Sequence, residues 1–109
     1  MSTKVLIILP TFNEALSIKQ HLSTIDNLRK DLEPNYSISI LQIDDSSPDG
    51  TAKIASDMNL VNFSQLIYPK KLGLGPAYLA GFNWGLQRNF EYFVEMDSDG
   101  SHLPSQLVE

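Results

Sequence analysis

The 109-residue sequence predicts an α/β fold, a mainly parallel sheet with helices on both faces. Three observations predict it. Short continuous apolar runs, without the polar alternation of a half-exposed strand, recur along the chain. Between them lie segments whose apolar or small residues repeat every three or four positions, the period of a helix face. A polar or glycine-rich stretch then follows each apolar run. The resulting order β-α-β-α-β-α-β requires parallel neighbours joined by right-handed crossovers.

The elements follow in order. Lys4-Val5-Leu6-Ile7-Ile8-Leu9, ending at Pro10, reads as a strand buried on both faces. Ala15, Ile18, Leu22, Ile25, Leu28 and Leu32 draw one apolar stripe on a helix, and Thr11 with Glu14 three residues on predicts a capping box at its start. Pro34-Asn35 closes that helix and opens a strand over 37–43. A polar loop with a Ser47-Pro48 entry leads to a short helix over 51–58 and a third strand over 63–68. The loop 69–76 feeds a helix over 77–88, where Ala77, Ala80, Gly81 and Gly85 form a small-residue side suited to close approach to the sheet. A fourth strand over 90–96 ends in Asp97-Ser98-Asp99-Gly100-Ser101, and a further helix is expected from Pro104. There is no internal repeat and no linker. The expectation is one unit over 1–109, the nucleotide-binding half of an α/β domain, truncated at Glu109.

Composition narrows the function. Thirteen acidic against eight basic residues give a formal net charge of −5, which argues against a nucleic-acid module. Hydrophobic content of 42% and charged content of 19% are those of a globular chain rather than a disordered one. The absence of cysteine removes a disulfide scaffold, a thiolate metal site and a cysteine nucleophile. No apolar run has the length of a membrane span and the N-terminus lacks signal-peptide anatomy, so a cytoplasmic protein is expected.

In open α/β sheets ligands collect beyond the carboxyl ends of the strands. Four polar segments belong at that edge: 10–14, 44–51, 70–75 and 97–101. Asp97 and Asp99, two positions apart just past a strand, suit a hard divalent cation, Mg²⁺ or Mn²⁺, with Ser101 or water completing the shell. The competing reading is a solvated acidic turn capping the next helix. Asp44 and Asp45 suit hydrogen bonds from ribose hydroxyls or a base edge; the competing reading is a turn cluster, and for Asp49 that reading is preferred. Glu14 either closes the capping box or faces a nucleotide. Lys70 and Lys71 are phosphate-neutralising or merely exposed. Gly73-Leu74-Gly75 is not the dinucleotide fingerprint, since Tyr78 occupies the third glycine's place. His21 reads as a helix-surface residue, His102 as structural, and Trp84 as core or helix-packing surface.

Taken together, Leu9-Pro10-Thr11-Phe12-Asn13-Glu14, the loop Asp44 to Thr51, Lys71-Leu72-Gly73-Leu74-Gly75-Pro76-Ala77-Tyr78-Leu79-Ala80-Gly81-Phe82 and Glu95-Met96-Asp97-Ser98-Asp99-Gly100-Ser101-His102 resemble the N-terminal half of family 2 glycosyltransferases with the GT-A fold. The likeness is greatest to polyprenol-phosphate (dolichol-phosphate) mannose synthases. It implies a Rossmann-like sheet and inverting transfer of mannose from GDP-mannose to a polyprenyl phosphate. It implies that Pro10, Phe12 and Glu14 frame the guanine nucleotide, with Asp45 and Asp44 near base or ribose. It also implies that the catalytic carboxylates Asp97 and Asp99 hold Mg²⁺ or Mn²⁺ on the diphosphate, with Ser98 and Ser101 lining that site. Phe12 stands where the family often has tyrosine, Ser46 where asparagine is common, and Pro76 where threonine is common. The lipid acceptor implies a peripheral place at the cytoplasmic membrane face, with a membrane-anchored partner or a missing C-terminal half gripping it. Two alternatives stand beside this reading. One is a non-catalytic nucleotide-sugar binder or assembly partner. The other is a phosphatase, since the Asp97 turn also resembles that of haloacid-dehalogenase-type enzymes, although theirs follows the first strand.

Overall fold

The computed structural model describes residues 3–70 and 73–96. Four strands and three helices alternate: β1 (Thr3–Thr11), α1 (Ile18–Leu32), β2 (Tyr36–Asp44), α2 (Thr51–Ser56), β3 (Phe63–Ile67), α3 (Leu74–Leu86) and β4 (Tyr92–Glu95). All pairings are parallel and the sheet order is β3-β2-β1-β4. The longest register joins β1 to β2, from Thr3 opposite Tyr36 to Thr11 opposite Asp44.

Strand alternation explains the layers. Val5, Ile7 and Leu9 of β1, with Ile38 and Ile40 of β2, pack on Ile18, Leu22 and Ile25 of α1 and Ala55 of α2. Leu6, Ile8, Leu41 and Ile43 point the other way, toward Ala77 of α3. Both faces of β1 are therefore buried, as its unbroken apolar run requires. The chain steps outward from β1 to β2 to β3 with α1 and α2 on one face. It then crosses back under α3 on the other face to lay β4 beside β1. In open α/β sheets such a reversal of strand order, here between β1 and β4, marks the carboxyl edge where ligands bind.

Three expectations need correction. The capping box does not form. Thr11 remains in β1, and α1 begins later, at Ile18, behind Ser17, which makes no side-chain cap bond. Glu14 instead turns its carboxylate back to the Phe12 N–H (3.3 Å) while its carbonyl accepts the Ser17 and Ile18 amides. α3 begins at Leu74, three residues before Ala77, because Gly73 takes a positive φ of 90° that launches the helix early. Pro76 then falls in the first turn, where no N–H is needed. β4 is shorter than expected, since Asn89 at φ 66° and the residues after it still belong to the turn.

The small-residue side of α3 is used as expected at Gly81 and Gly85, both buried. A Cβ on Gly81 would sit 2.7 Å from Ile8 Cγ2, and one on Gly85 would run into the Phe93 ring and Leu6. On the opposite face Arg29 ties α1 to β2 and to the turn before β3. Its guanidinium pairs with Asp26 (2.8 Å) and donates to the carbonyls of Ile38 (3.1 Å) and Val61.

Gly85→Ala is expected to destabilise the fold by about 1–3 kcal/mol despite alanine's better helix propensity, because the added methyl overpacks a ring against the sheet. Urea denaturation of the two proteins measures it, and the exposed Asn83→Ala in the same helix should show no comparable loss.

Candidate functional site

Beyond the carboxyl edge the sheet's hydrogen bonding continues into the loops. Asp45 N–H donates to the Thr11 carbonyl (3.2 Å) and Tyr68 N–H to the Asp44 carbonyl (2.9 Å), so the exits of β1, β2 and β3 are held in register. The side chains then lock the first two loops together. The Thr11 hydroxyl donates to Asp44 Oδ1 at 2.7 Å. Ser47 gives the same carboxylate its hydroxyl (2.6 Å) and its backbone N–H (2.8 Å). Ser47 Oγ in turn accepts the Asn13 amide at 2.9 Å. Asp44 is 1% exposed, so a carboxylate taken out of water there is sustained by these three donors.

A second latch lies closer to solvent. Thr51 Oγ1 accepts the Glu14 N–H (2.9 Å) and donates to Asp49 Oδ1. Asp49 also accepts the Thr51 N–H (3.1 Å) and the Ala15 N–H (3.0 Å). The hydrogen bond from the Thr51 hydroxyl, against a smaller penalty from burial and helped by the amides of Ala15 and Thr51, holds the Asp49 carboxyl below its ordinary value. Asp49 is thus a turn and latch residue, as its preferred reading had it.

Asp45 faces away from Asp44, because successive residues at a strand end alternate in direction. Its Oδ2 accepts the N–H of Gly73, the N-cap of α3, at 3.4 Å. Asn13 and Ser46 both hold positive φ, 56° and 54°. The Ser46 hydroxyl donates to the Tyr68 carbonyl. Asparagine, the common residue of the resembling family at Ser46, adopts such a backbone more readily than serine does.

The structure therefore brings five of the sequence-assigned residues to one edge: Pro10, Phe12 and Glu14 on the β1 exit, and Asp44 and Asp45 on the β2 exit. Pro10 is buried, while Phe12 and Glu14 are half-buried. Asp97, Ser98, Asp99 and Ser101 lie outside the described residues, as do Lys71 and His102. The described chain reaches Met96, whose N–H donates to the Ile8 carbonyl beside the β1 exit. Among the described residues no group of three or more His, Cys, Asp or Glu side chains is placed to hold a metal ion. Against the β2 and β3 exits and α2 lies an open pocket of about 460 Å³ whose lining includes Ser46, Ser47, Lys53 and Gln65. Sequence reasoning did not single out Thr11, Ser47 or Thr51 as site-forming, nor the buried Gln42. Gln42 carried a signal, an amide inside an otherwise apolar stretch of β2.

Two expectations follow. Asp44→Asn, which replaces an ionised acceptor of three bonds with a neutral amide, should cost about 2–3 kcal/mol of stability by urea denaturation. For Asp49 the folded-state value is depressed, so its bonds contribute stability that is present above the ordinary carboxylate range and is lost as pH falls through the lowered folded value. Asp49→Asn should therefore flatten the fall in urea midpoint as pH drops below the ordinary carboxylate range, and should lower the midpoint at neutral pH.

With this geometry in place, the comparisons with known proteins are specific. The sequence pattern of the family described as "Glycosyl transferase family 2" matches residues 6–109. The chain is 41% identical over 107 residues to a polyprenol monophosphomannose synthase of Mycolicibacterium smegmatis, covering 95% of this chain and 38% of that protein. It is 42% identical over 106 residues to an undecaprenyl-phosphate mannosyltransferase of Micrococcus luteus, covering 95% of this chain and 41% of the relative. A dolichol-phosphate mannosyltransferase of Pyrococcus furiosus is 35% identical over 105 residues, or 28% of its length. The chain thus spans about two fifths or less of the curated relatives it matches. Its fold is shared with a mannosyltransferase from Pyrobaculum calidifontis solved with GDP-mannose and Mn²⁺, at TM-score 0.67 and 23% identity, over 91% of this chain and 28% of that one. The family pattern runs from β1 through both loop latches and α3 and on to residue 109, so the chain belongs to glycosyl transferase family 2.

Proposed function

We propose that this chain forms the donor-binding part of a mannosyltransferase that moves mannose from GDP-mannose to a polyprenyl phosphate. One observation carries the proposal. The β1 and β2 exit loops are cross-linked through Asp44 and Asp49 into a single hydrogen-bonded platform at the carboxyl edge of the sheet. Such a platform suits a nucleotide, because ligands of open α/β sheets bind beyond the carboxyl ends of the strands. The names of the three relatives, all phosphomannose synthases or mannosyltransferases acting on polyprenol, undecaprenyl or dolichol phosphates, support the sugar and the acceptor. The GDP-mannose and Mn²⁺ bound by the Pyrobaculum calidifontis protein support the donor and a divalent cation.

On this reading the turn 10–14 and Asp45 frame the guanosine, while Asp44 holds the frame from behind. Asp97 and Asp99 hold the cation, Mg²⁺ or Mn²⁺, with Ser98 and Ser101 beside them. When bound, the cation offsets the negative charge that builds on the departing GDP. An oxygen of the acceptor phosphate attacks the anomeric carbon as the bond from that carbon to the GDP oxygen breaks, and the configuration inverts. The attacking phosphate is already anionic near neutral pH, so no general base has to take a proton from it. A lipid acceptor places the reaction at a membrane surface. Among the described residues no helix is long and apolar enough to cross a membrane. In this reading the acceptor is gripped by a further C-terminal half or by a membrane-anchored partner.

Titration calorimetry with GDP-mannose, in Mn²⁺ and again in chelator, tests the donor site. Binding should need the cation, should favour GDP-mannose over UDP-glucose, and should weaken about 10–100-fold in Asp97→Asn or Asp99→Asn. Equal heats with and without the metal, or none for the unaltered chain, would overturn the reading.

A further inference from the structure

We infer that Gln42 and Gln65 are positioning residues for the nucleotide platform, acting through the direction in which the Thr11 hydroxyl points. This rests on the donor-site reading above and deepens it. Gln42 is fully buried in β2, with Leu41 and Ile43 on either side in sequence. A buried amide without partners is costly, whereas an aliphatic side chain at the same place would cost nothing. Every polar atom needed for a one-way relay is nevertheless paired. Gln65 Nε2 divides its two hydrogens between the Ala52 carbonyl (2.8 Å) and Gln42 Oε1 (2.7 Å). Gln42 Nε2 donates to Thr11 Oγ1 at 3.0 Å.

The consequence lies in the donor count. A hydroxyl has one hydrogen, and a Thr11 oxygen that accepts from Gln42 is set to send that hydrogen onward. It goes to Asp44 Oδ1. The same carboxylate oxygen takes the hydrogen of Ser47, which leaves a Ser47 lone pair for the Asn13 amide. The relay therefore reaches from β3, through the middle of the sheet, to the turn assigned to the nucleotide. Without it Thr11 can turn its hydrogen elsewhere, and the Asp44–Ser47–Asn13 latch is held less firmly. A platform that is formed for only part of the time binds its ligand more weakly in proportion to that fraction.

The test compares the full chain with Gln42→Leu, Thr11→Val and the double variant. Leucine fills nearly the same volume but leaves the half-buried Gln65 N–H without its Gln42 acceptor, so the thermal midpoint of Gln42→Leu should fall only modestly. Amide exchange at Asn13 and Ser47, read by NMR, should nonetheless accelerate about tenfold. The Kd for GDP with Mn²⁺ should rise about 3–10-fold. Because the two residues act in series, the double variant should bind no more weakly than Thr11→Val alone. Unchanged exchange at both amides overturns the inference whether or not nucleotide binds. Faster exchange with an unchanged Kd also overturns it, and shows that the relay shapes the loop without serving the ligand. If the unaltered chain binds no GDP, the donor-site reading fails on that result, and the exchange rates alone decide whether the relay holds the platform.

Discussion

The geometry of the carboxyl edge depends on one buried carboxylate. Asp44 ends β2 opposite Thr11, the last residue of β1, and its charge is withdrawn from water. An ionised group in that position survives only with donors around it, and those donors come from two separate stretches, Thr11 on one side and Ser47 on the other. Satisfying Asp44 therefore fixes where both loops lie. The Asn13 turn is drawn in through Ser47, and the Asp49–Thr51 latch fastens the same two loops further out. The strands bring the loops to the edge, and the carboxylate decides their arrangement there.

The sheet was legible because burial on both faces leaves a strong trace. Six consecutive residues of β1, from Val5 to Pro10, are buried, and the same residues form the apolar run that marks a central parallel strand. The stripe of α1 and the glycines of α3 were legible for a related reason, since each reflects a contact with that sheet. What misled was a local pattern with two meanings. Thr11 and Glu14 have capping-box spacing, but Thr11 is drawn into the sheet by pairing with a residue 33 positions away, which no local motif records.

The site was legible as a set of loops and less so as a set of roles. Asp44 and Asp45 are chemically identical neighbours, and the sequence offers no way to divide them. The alternation of a strand divides them at once. One carboxylate turns inward to hold the loops, and the other turns toward the N-terminal amide of α3. Gln42 escaped notice for the opposite reason. Sequence patterning treats a single amide in an apolar strand as noise, and its meaning appears only when Gln65 and Thr11 are seen on the flanking strands.

The outer surface of α3 has a practical consequence. While its glycines press on the sheet, Leu79, Phe82 and Leu86 stand in a row on the side facing solvent, with Tyr92 of β4 also bare. Where two such flanks meet, water is released, and breaking that contact on dilution carries a heat of its own. A calorimetric trace from this molecule reports its affinity for a sugar nucleotide only after the signal from injecting plain buffer has been subtracted.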